Sequence, residues 1–370
     1  MFHSVLRQLI SVDRTQLHLR SSLLCMITIA GALAVGLALG RPAIGMIAAG
    51  GAMSVGLGSF HQMGRSRVRP MLWASIGMGI STVVGSAVGH AGPFGVLNAT
   101  GAGFAGGMLL ALGPGAAWVG QQCAIAALVA GGYPTGLDLA FSRGLLLLLG
   151  GLTQTGVVVA CWHFGQTWKI PGPDDPYAGL AAGLRTLREN LAWQSPAFRF
   201  AVRQGGTLAV GAAMAHRLHL ANGYWVPMTA LLVIRPDFQQ TFSRGLARIG
   251  GTVIGAIVAS LLVARLHPSV VLLALLIVPF AWRAYAVVNV NYAAFSISLT
   301  AYIVFLLAFA GLPTKAVILH RTLNTALGGL LALLSFVTML WVRRRREAPA
   351  RSDAACARCR RMYFRPCRVA

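Results

Sequence analysis

The chain has 370 residues, of which 56% are hydrophobic and only 11% charged, with a formal net charge of +23. A soluble domain carries roughly 25% charged residues, so this composition, with a mean hydropathy of +0.69, excludes an ordinary water-soluble enzyme and points to lipid as the solvent. Twenty-nine of the 31 basic residues are arginine, a bias that, with abundant Ala and Gly, fits a high-GC bacterial genome.

Residues 1–20 are polar and basic, and the first apolar run, Ser22–Gly40, is longer than a signal-peptide core, so it reads as a retained first span. Further apolar stretches follow at about 43–58, 70–90, 93–112, 114–131 and 142–163. A run of about 20 apolar residues can cross a hydrocarbon core of ~30 Å, and only helices or closed barrels satisfy every backbone group there. Unbroken runs such as Val270–Pro279 and Leu323–Val342 lack the alternation of a barrel strand, which leaves helices. The connection Gly165–Ala197 is the most soluble in character: "KIPGPDDPY" is a turn-rich linker, and "LAAGLRTLRENLAW" puts Leu180, Leu184, Leu187 and Leu191 on one stripe of an amphipathic helix. Six more spans are expected at about 199–219, 221–235, 246–266, 268–286, 290–311 and 319–342. The remainder, 343–370, holds ten arginines and reads as a disordered tail suited to anionic lipid. Its Cys356, Cys359 and Cys367 offer three thiols and no histidine, short of the four ligands of a structural zinc site, so neither metal nor cofactor is expected.

The sequence thus predicts an all-α polytopic membrane protein of about 12 transmembrane helices. Its parts are a six-helix unit over 1–164, a linker over 165–197, a second six-helix unit over 198–342 and the basic tail over 343–370. A shift of 178 residues aligns the two units. Residues 43–79 then give 8 identities in 37, and the same shift pairs Arg143 with Arg321 and Gly150-Gly151 with Gly328-Gly329. Six spans per unit keeps both in one orientation, as in parallel-repeat transporters. With the N-terminus in the cytoplasm, the inner side carries 15 basic residues against 6 outside, the tail not counted. The positive-inside rule then puts both termini in the cytoplasm.

The candidate site lies in "YWVPMTALLVIRPDFQQTFSRGLARIGGT", residues 224–252. A short span carrying Pro227 ends at Arg235-Pro236-Asp237. Short or Pro/Gly-interrupted segments at matching positions of two halves point to a transporter's binding site, and a proline frees a backbone carbonyl one turn earlier. Asp237 suits the N-cap of the next helix. Beyond it Arg244 and Arg248 stand at i and i+4, with Thr241 one turn before them. Paired guanidiniums suit a carboxylate, although basic residues at this edge also satisfy the positive-inside rule alone. Arg143 and Arg321, at the outer ends of spans six and twelve, would form a second basic pair if both face the axis between the halves, or else reach to the interface. For proton coupling the candidates are Asp138, Asp237, His90 and His320, all near span ends. No G-x-x-x-x-G-K-[ST], H-E-x-x-H, nucleophile elbow or paired carboxylates occur, so the chain is not expected to be an enzyme.

The stretch "NGYWVPMTALLVIRPDFQQTFSRGLARIGGTVIGA" resembles the fusaric-acid-resistance family of membrane transporters, which includes the aromatic acid exporters. The features that match are Tyr224-Trp225 before Pro227, the Pro236-Asp237 break, Thr241, Arg244-Gly245, Arg248, Gly251-Thr252 and Gly255. The resemblance implies export of small organic anions, aromatic carboxylic acids foremost, across a bacterial inner membrane. It suggests that Tyr224 and Trp225 stack on the substrate ring beside Arg235, that Arg244 and Arg248 gather the anion, and that Arg143 and Arg321 receive it outside. Expected partners are the substrate and the bilayer, with a homo-oligomer or an efflux assembly as further candidates, and no nucleic acid. Two departures stand out: the chain has only the 165–197 connection where many members carry a large cytoplasmic domain, and at the 178 shift Ser66 and Pro70 oppose Arg244 and Arg248. The rival reading is a non-transporting membrane scaffold or accessory subunit.

Overall fold

The computed structural model describes residues 19–64, 66–89, 92–164, 176–312 and 320–337, and these are helical apart from turns and connections. The arginine-rich tail with its cysteines, and the "KIPGPD" part of the linker, lie outside the described residues. The helices are α1 (Leu19–Ala38), α2 (Pro42–Gly56, extended by the 3-10 turn Leu57–Phe60), α3 (Val68–Val88), α4 (Gly92–Met108), α5 (Pro114–Gly131), α6 (Leu137–Phe164), the linker helix α7 (Pro176–Glu189), α8 (Pro196–Arg217), α9 (Trp225–Val233), α10 (Phe238–Leu266), α11 (Val270–Val287) and α12 (Tyr292–Phe309), with α13 over 320–337.

Among the described residues seven helices are long and apolar enough to cross a membrane: Pro42–Phe60, Val68–Val88, Gly92–Leu112, Leu137–Cys161, Phe238–Leu266, Val270–Val287 and Tyr292–Phe309. That is fewer than the twelve expected from apolar runs. The apolar stretch of α1 is the shorter Ser22–Ala38, and α5 and α8 carry Gln121, Gln122, Arg203 and Gln204 within them. At nine residues α9 rises only about 14 Å.

Two local expectations are corrected. Pro227 does not break a helix, because it is the third residue of α9, where backbone N–H groups have no intrahelical acceptor in any case. The carbonyl it frees, that of Gly223, accepts the Val226 N–H at 3.0 Å instead. The interruption is at Ile234, which is extended at φ −63° and ψ 130°. Likewise the span expected from about 246 belongs to a helix that already starts at Phe238, as the capping role read for Asp237 implies. Asp237 caps it by accepting from the Gln240 N–H at 3.2 Å, and this lets the polar run 238–244 join the helix.

The order of packing is reciprocal between the two parts of the chain. Within the first, α2 packs on α1 and α6, α3 on α5 and α6, and α4 on α5; within the second, α9 packs on α8, α10 on α12, and α11 on α12. Between them α4 packs on α8 while α11 packs on α1, and α5 meets α9 while α2 meets α12. The helix limits follow the same shift: Pro114–Gly131 and Tyr292–Phe309 begin and end 178 residues apart, as do the first residues of Gly92–Met108 and Val270–Val287. Close crossings need bare backbone. A Cβ on Gly150 would strike the Ala48 carbonyl oxygen, and a Cβ on Gly328 the Val226 carbonyl oxygen, the same contact 178 residues on. Small residues at such points let helices approach and gain dispersion contacts where lipid offers no hydrophobic drive.

Two tyrosines tie the parts together. Tyr285 on α11 donates toward the Met53 and Ala52 carbonyls at 2.9 and 3.2 Å, and Tyr302 on α12 donates to the Ala49 carbonyl at 3.3 Å. All three acceptors are on α2.

Candidate functional site

Between the two parts lies a cavity of about 1390 Å³. Its wall follows α2 from Arg41 and Pro42 at one end to Phe60 and His61 at the other, a length of roughly 30 Å for these α and 3-10 turns. Among the described residues five arginines line it, Arg41, Arg143, Arg235, Arg244 and Arg248, and no Asp or Glu does. Among its walls are the rings of Trp118, Tyr133, Tyr224, Trp225, Tyr292 and Tyr302. Cationic forks with aromatic faces and no competing carboxylate make a surface that attracts anions and accommodates flat rings.

The break after Ile234 aims Arg235 into this space. The Arg235 N–H donates to Thr241 Oγ1 at 3.0 Å, and the Thr241 hydroxyl donates to the Asp237 carbonyl at 2.8 Å. The Arg203 guanidinium holds the Arg235 carbonyl. Braced in this way, Arg235 donates from Nη1 to Gln121 Oε1 at 3.1 Å across the cavity. Thr241 and Asp237 are therefore braces of the connection and do not line the cavity. Pro227 is also off the wall, buried against Gly211 of α8.

Arg244 and Arg248 share a face of α10 as their spacing predicts, but their surroundings differ. Arg244 is half-buried with its guanidinium 4.7 Å from the centre of the Tyr292 ring. Arg248 is 1% exposed and reaches Ser296 Oγ only at 3.5 Å. At the other end Arg143 donates to the Tyr133 carbonyl, the Tyr133 and Tyr224 hydroxyls lie 3.1 Å apart, and the Tyr224 ring stands 5.2 Å from that of Trp225. Trp225 in turn stacks on Arg321, whose guanidinium carbon is 4.0 Å from the ring centre. Arg143 and Arg321 are thus joined through three aromatic residues, yet only Arg143 lines the cavity; Arg321 is fully buried behind Trp225.

His61 stands at the α2–α3 connection, stacked on Trp118 with centroids 4.9 Å apart. Its Nδ1 lies 3.2 Å from the Leu57 carbonyl, a contact that selects the Nδ1–H tautomer. Burial pushes its pKa below the usual histidine value, the Leu57 carbonyl opposes that shift, and the charge of Arg235 adds to it.

Of the residues singled out in the sequence, Tyr224, Trp225, Arg235, Arg244, Arg248 and Arg143 meet on one cavity. Sequence reasoning missed Arg41, Gln121, Tyr133 and the His61–Trp118 pair, and it read Tyr292 only as a polar group for hydrogen bonding between helices. Arg41 left a signal, a charge beside a proline between two apolar runs; the others are ordinary residues of apolar helices whose facing depends on tertiary packing. Among the described residues no group of three His, Cys, Asp or Glu is placed to hold a metal.

Several apolar helices of spanning length around a basic, aromatic-walled cavity define a multi-pass α-helical membrane protein. Residues 208–335 match the fusaric acid resistance protein-like family, which bears out the resemblance read in 222–256. The chain is 31% identical over 190 residues to the uncharacterized protein YhfK of Escherichia coli, covering 49% of this chain and 27% of that protein. It is 32% identical over 157 residues to the uncharacterized protein ORF2 of Neisseria gonorrhoeae, covering 42% and 37%. It is 30% identical over 172 residues to the inner membrane protein YccS of E. coli, covering 45% and 23%. The chain therefore spans well under half the length of these curated relatives. No solved structure matches.

Proposed function

We propose that this chain is a transporter of the bacterial inner membrane that moves small organic anions out of the cell, aromatic carboxylates foremost. One observation carries the reading: among the described residues, the wall of the cavity running the length of α2 has five arginines and no carboxylate. Ordinary ligand pockets hold about 300–1,000 Å³; this one, at about 1390 Å³, has the size of a passage. Its rings offer stacking faces and its guanidiniums offer two-pronged bonds to a carboxylate. An inside-negative potential favours the exit of an anion by roughly 2.3 kcal/mol per charge per 100 mV.

In this reading the bundle is a pair of six-helix repeats about an axis along the membrane normal. The constant 178-residue offset of helix limits and the reciprocal packing of α4 on α8 and α11 on α1 support it. Both termini face the cytoplasm, as the excess of basic residues on that side favours. Arg235 and Arg244 then gather the anion at the inner mouth, Tyr224 and Trp225 pass it along, and Arg143 and Arg41 receive it outside. The family match and the relative whose name places it in the inner membrane agree with this.

The test is reconstitution of the purified full chain into liposomes. Saturable flux of radiolabelled benzoate that responds to an imposed potential is expected. Flux no greater than in protein-free liposomes, for benzoate and a panel of related acids, would refute transport by this chain alone.

A further inference from the structure

Trp225 separates the cavity from a deeper charge, that of Arg321. Arg321 on α13 is 0% exposed, and its Nε, Nη1 and Nη2 make no hydrogen bond. Arg248 Nε is equally buried and equally unpartnered. The charge of Arg248 acts on Arg321. All four of these nitrogens are donors that cannot accept, so the excess can be satisfied only by an acceptor, and two cations that sense each other call for a negative one.

The sequence contains no Asp or Glu between Asp237 and Glu347, and Asp237 is exposed and spent on capping α10. The Trp225 face meets the guanidinium stack at 4.0 Å, but a ring face supplies no acceptor to the in-plane N–H groups. A buried cation without a partner is costly, and a pair of them more so.

We propose that Arg321 and Arg248, capped by the Trp225 ring, form a binding site for a compact monoanionic group, a carboxylate or a halide, reached from the main cavity when the ring swings off the guanidinium. The path is short, since Trp225 and Arg248 both line the cavity while Arg321 does not. The ring must move, because nothing of Arg321 is open while it is in place. The carboxylate form of the site deepens the transport reading above and rests on it; the halide form does not.

The test uses the full chain in nanodiscs, in a buffer whose only anion is the bulky sulfonate of HEPES. Equilibrium binding of radiolabelled benzoate and of radiolabelled chloride is measured for wild type, Arg321→Gln, Arg321→Lys and Trp225→Ala. Saturable binding of at least one of the two is expected. Arg321→Gln weakens it tenfold or more, Arg321→Lys weakens it less, and Trp225→Ala speeds association by removing the cap. Benzoate binding that chloride does not displace identifies the carboxylate source, and chloride binding that benzoate leaves intact identifies the halide. Equal affinity in wild type and Arg321→Gln overturns the site. If benzoate binding then falls in Arg244→Gln, the transport reading survives that loss. Should Arg321→Gln fail to fold, association in Trp225→Ala no faster than in wild type overturns it instead. Absence of saturable binding of either anion to wild type overturns both the site and the anion reading.

Discussion

Gly150 lies so close to Ala48 that a Cβ on it would run into the Ala48 carbonyl oxygen, and 178 residues later Gly328 meets the Val226 carbonyl in the same way. The α2–α6 and α9–α13 crossings are thus built on matching glycines. Replacing either glycine by alanine forces backbone apart at a packed crossing, at a cost of about 1–3 kcal/mol. Thermal unfolding in detergent should show the loss for Gly150→Ala and for Gly328→Ala. Gly206→Ala on α8, where a Cβ would meet nothing within 4 Å, is the control and should be neutral or mildly stabilising. A neutral Gly150→Ala would mean that the crossing is looser than the backbone contact implies.

Arg244 and Arg248 differ in burial but both line the cavity. Changing both to Gln should lower carboxylate flux in liposomes at least tenfold while the protein reaches the membrane in normal amount. Flux equal to wild type would remove these two side chains from the pathway.

His61 gives the stability a pH dependence whose sign can be worked out. Its folded pKa is lowered, chiefly by burial, with Arg235 adding and Leu57 opposing. Below the unfolded value of about 6.5 the unfolded chain takes up a proton that the folded protein resists. The stabilisation is therefore complete above that value and is lost as pH falls from it toward the folded pKa. His61→Gln should flatten the unfolding midpoint between pH 7 and pH 5 relative to wild type; an unchanged slope would exclude His61 as its source.

Tyr285→Phe removes the hydroxyl that donates toward the Met53 and Ala52 carbonyls of α2. The expected loss is about 1 kcal/mol. Faster amide exchange should be confined mainly to α2 and its neighbours. Exchange that accelerates uniformly over the bundle would show that the hydroxyl does not act locally.

The helices were legible in the sequence because lipid demands long apolar runs, and the 178 shift was visible because it preserves Arg143/Arg321 and the paired glycines. The linker helix α7 showed in its leucine stripe, of which Leu187 and Leu191 border a small apolar crevice beside α4. The details around the site were harder. Hydropathy runs through 221–235 without a break, but α9 spans only Trp225–Val233 because Ile234 is drawn into an extended connection by the Thr241 bonds. The polar run 238–244 lay outside the apolar span expected from about 246, but the capping role read for Asp237 already implied the helix that the structure shows there. Arg321 looked like a residue at a span's outer end, since a formal charge at a helix end gives no sign that a tryptophan from another helix will cover it. Tyr292 read as a polar group for hydrogen bonding between helices and Tyr133 drew no reading; only the packing of α12 and α5 turns them to the cavity.

The hydroxyls of Tyr285 and Tyr302 reach from the second part of the chain into α2, while Gly150 presses α2 onto α6 from the other flank. The helix that bounds the passage along its whole length is thus gripped on both sides. Parting the bundle into two intact shells along its midline would break the tyrosine grip. Under the transport proposal, any widening that keeps that grip must shift α2 against the α6 glycines, which places the movement on the α2–α6 contact.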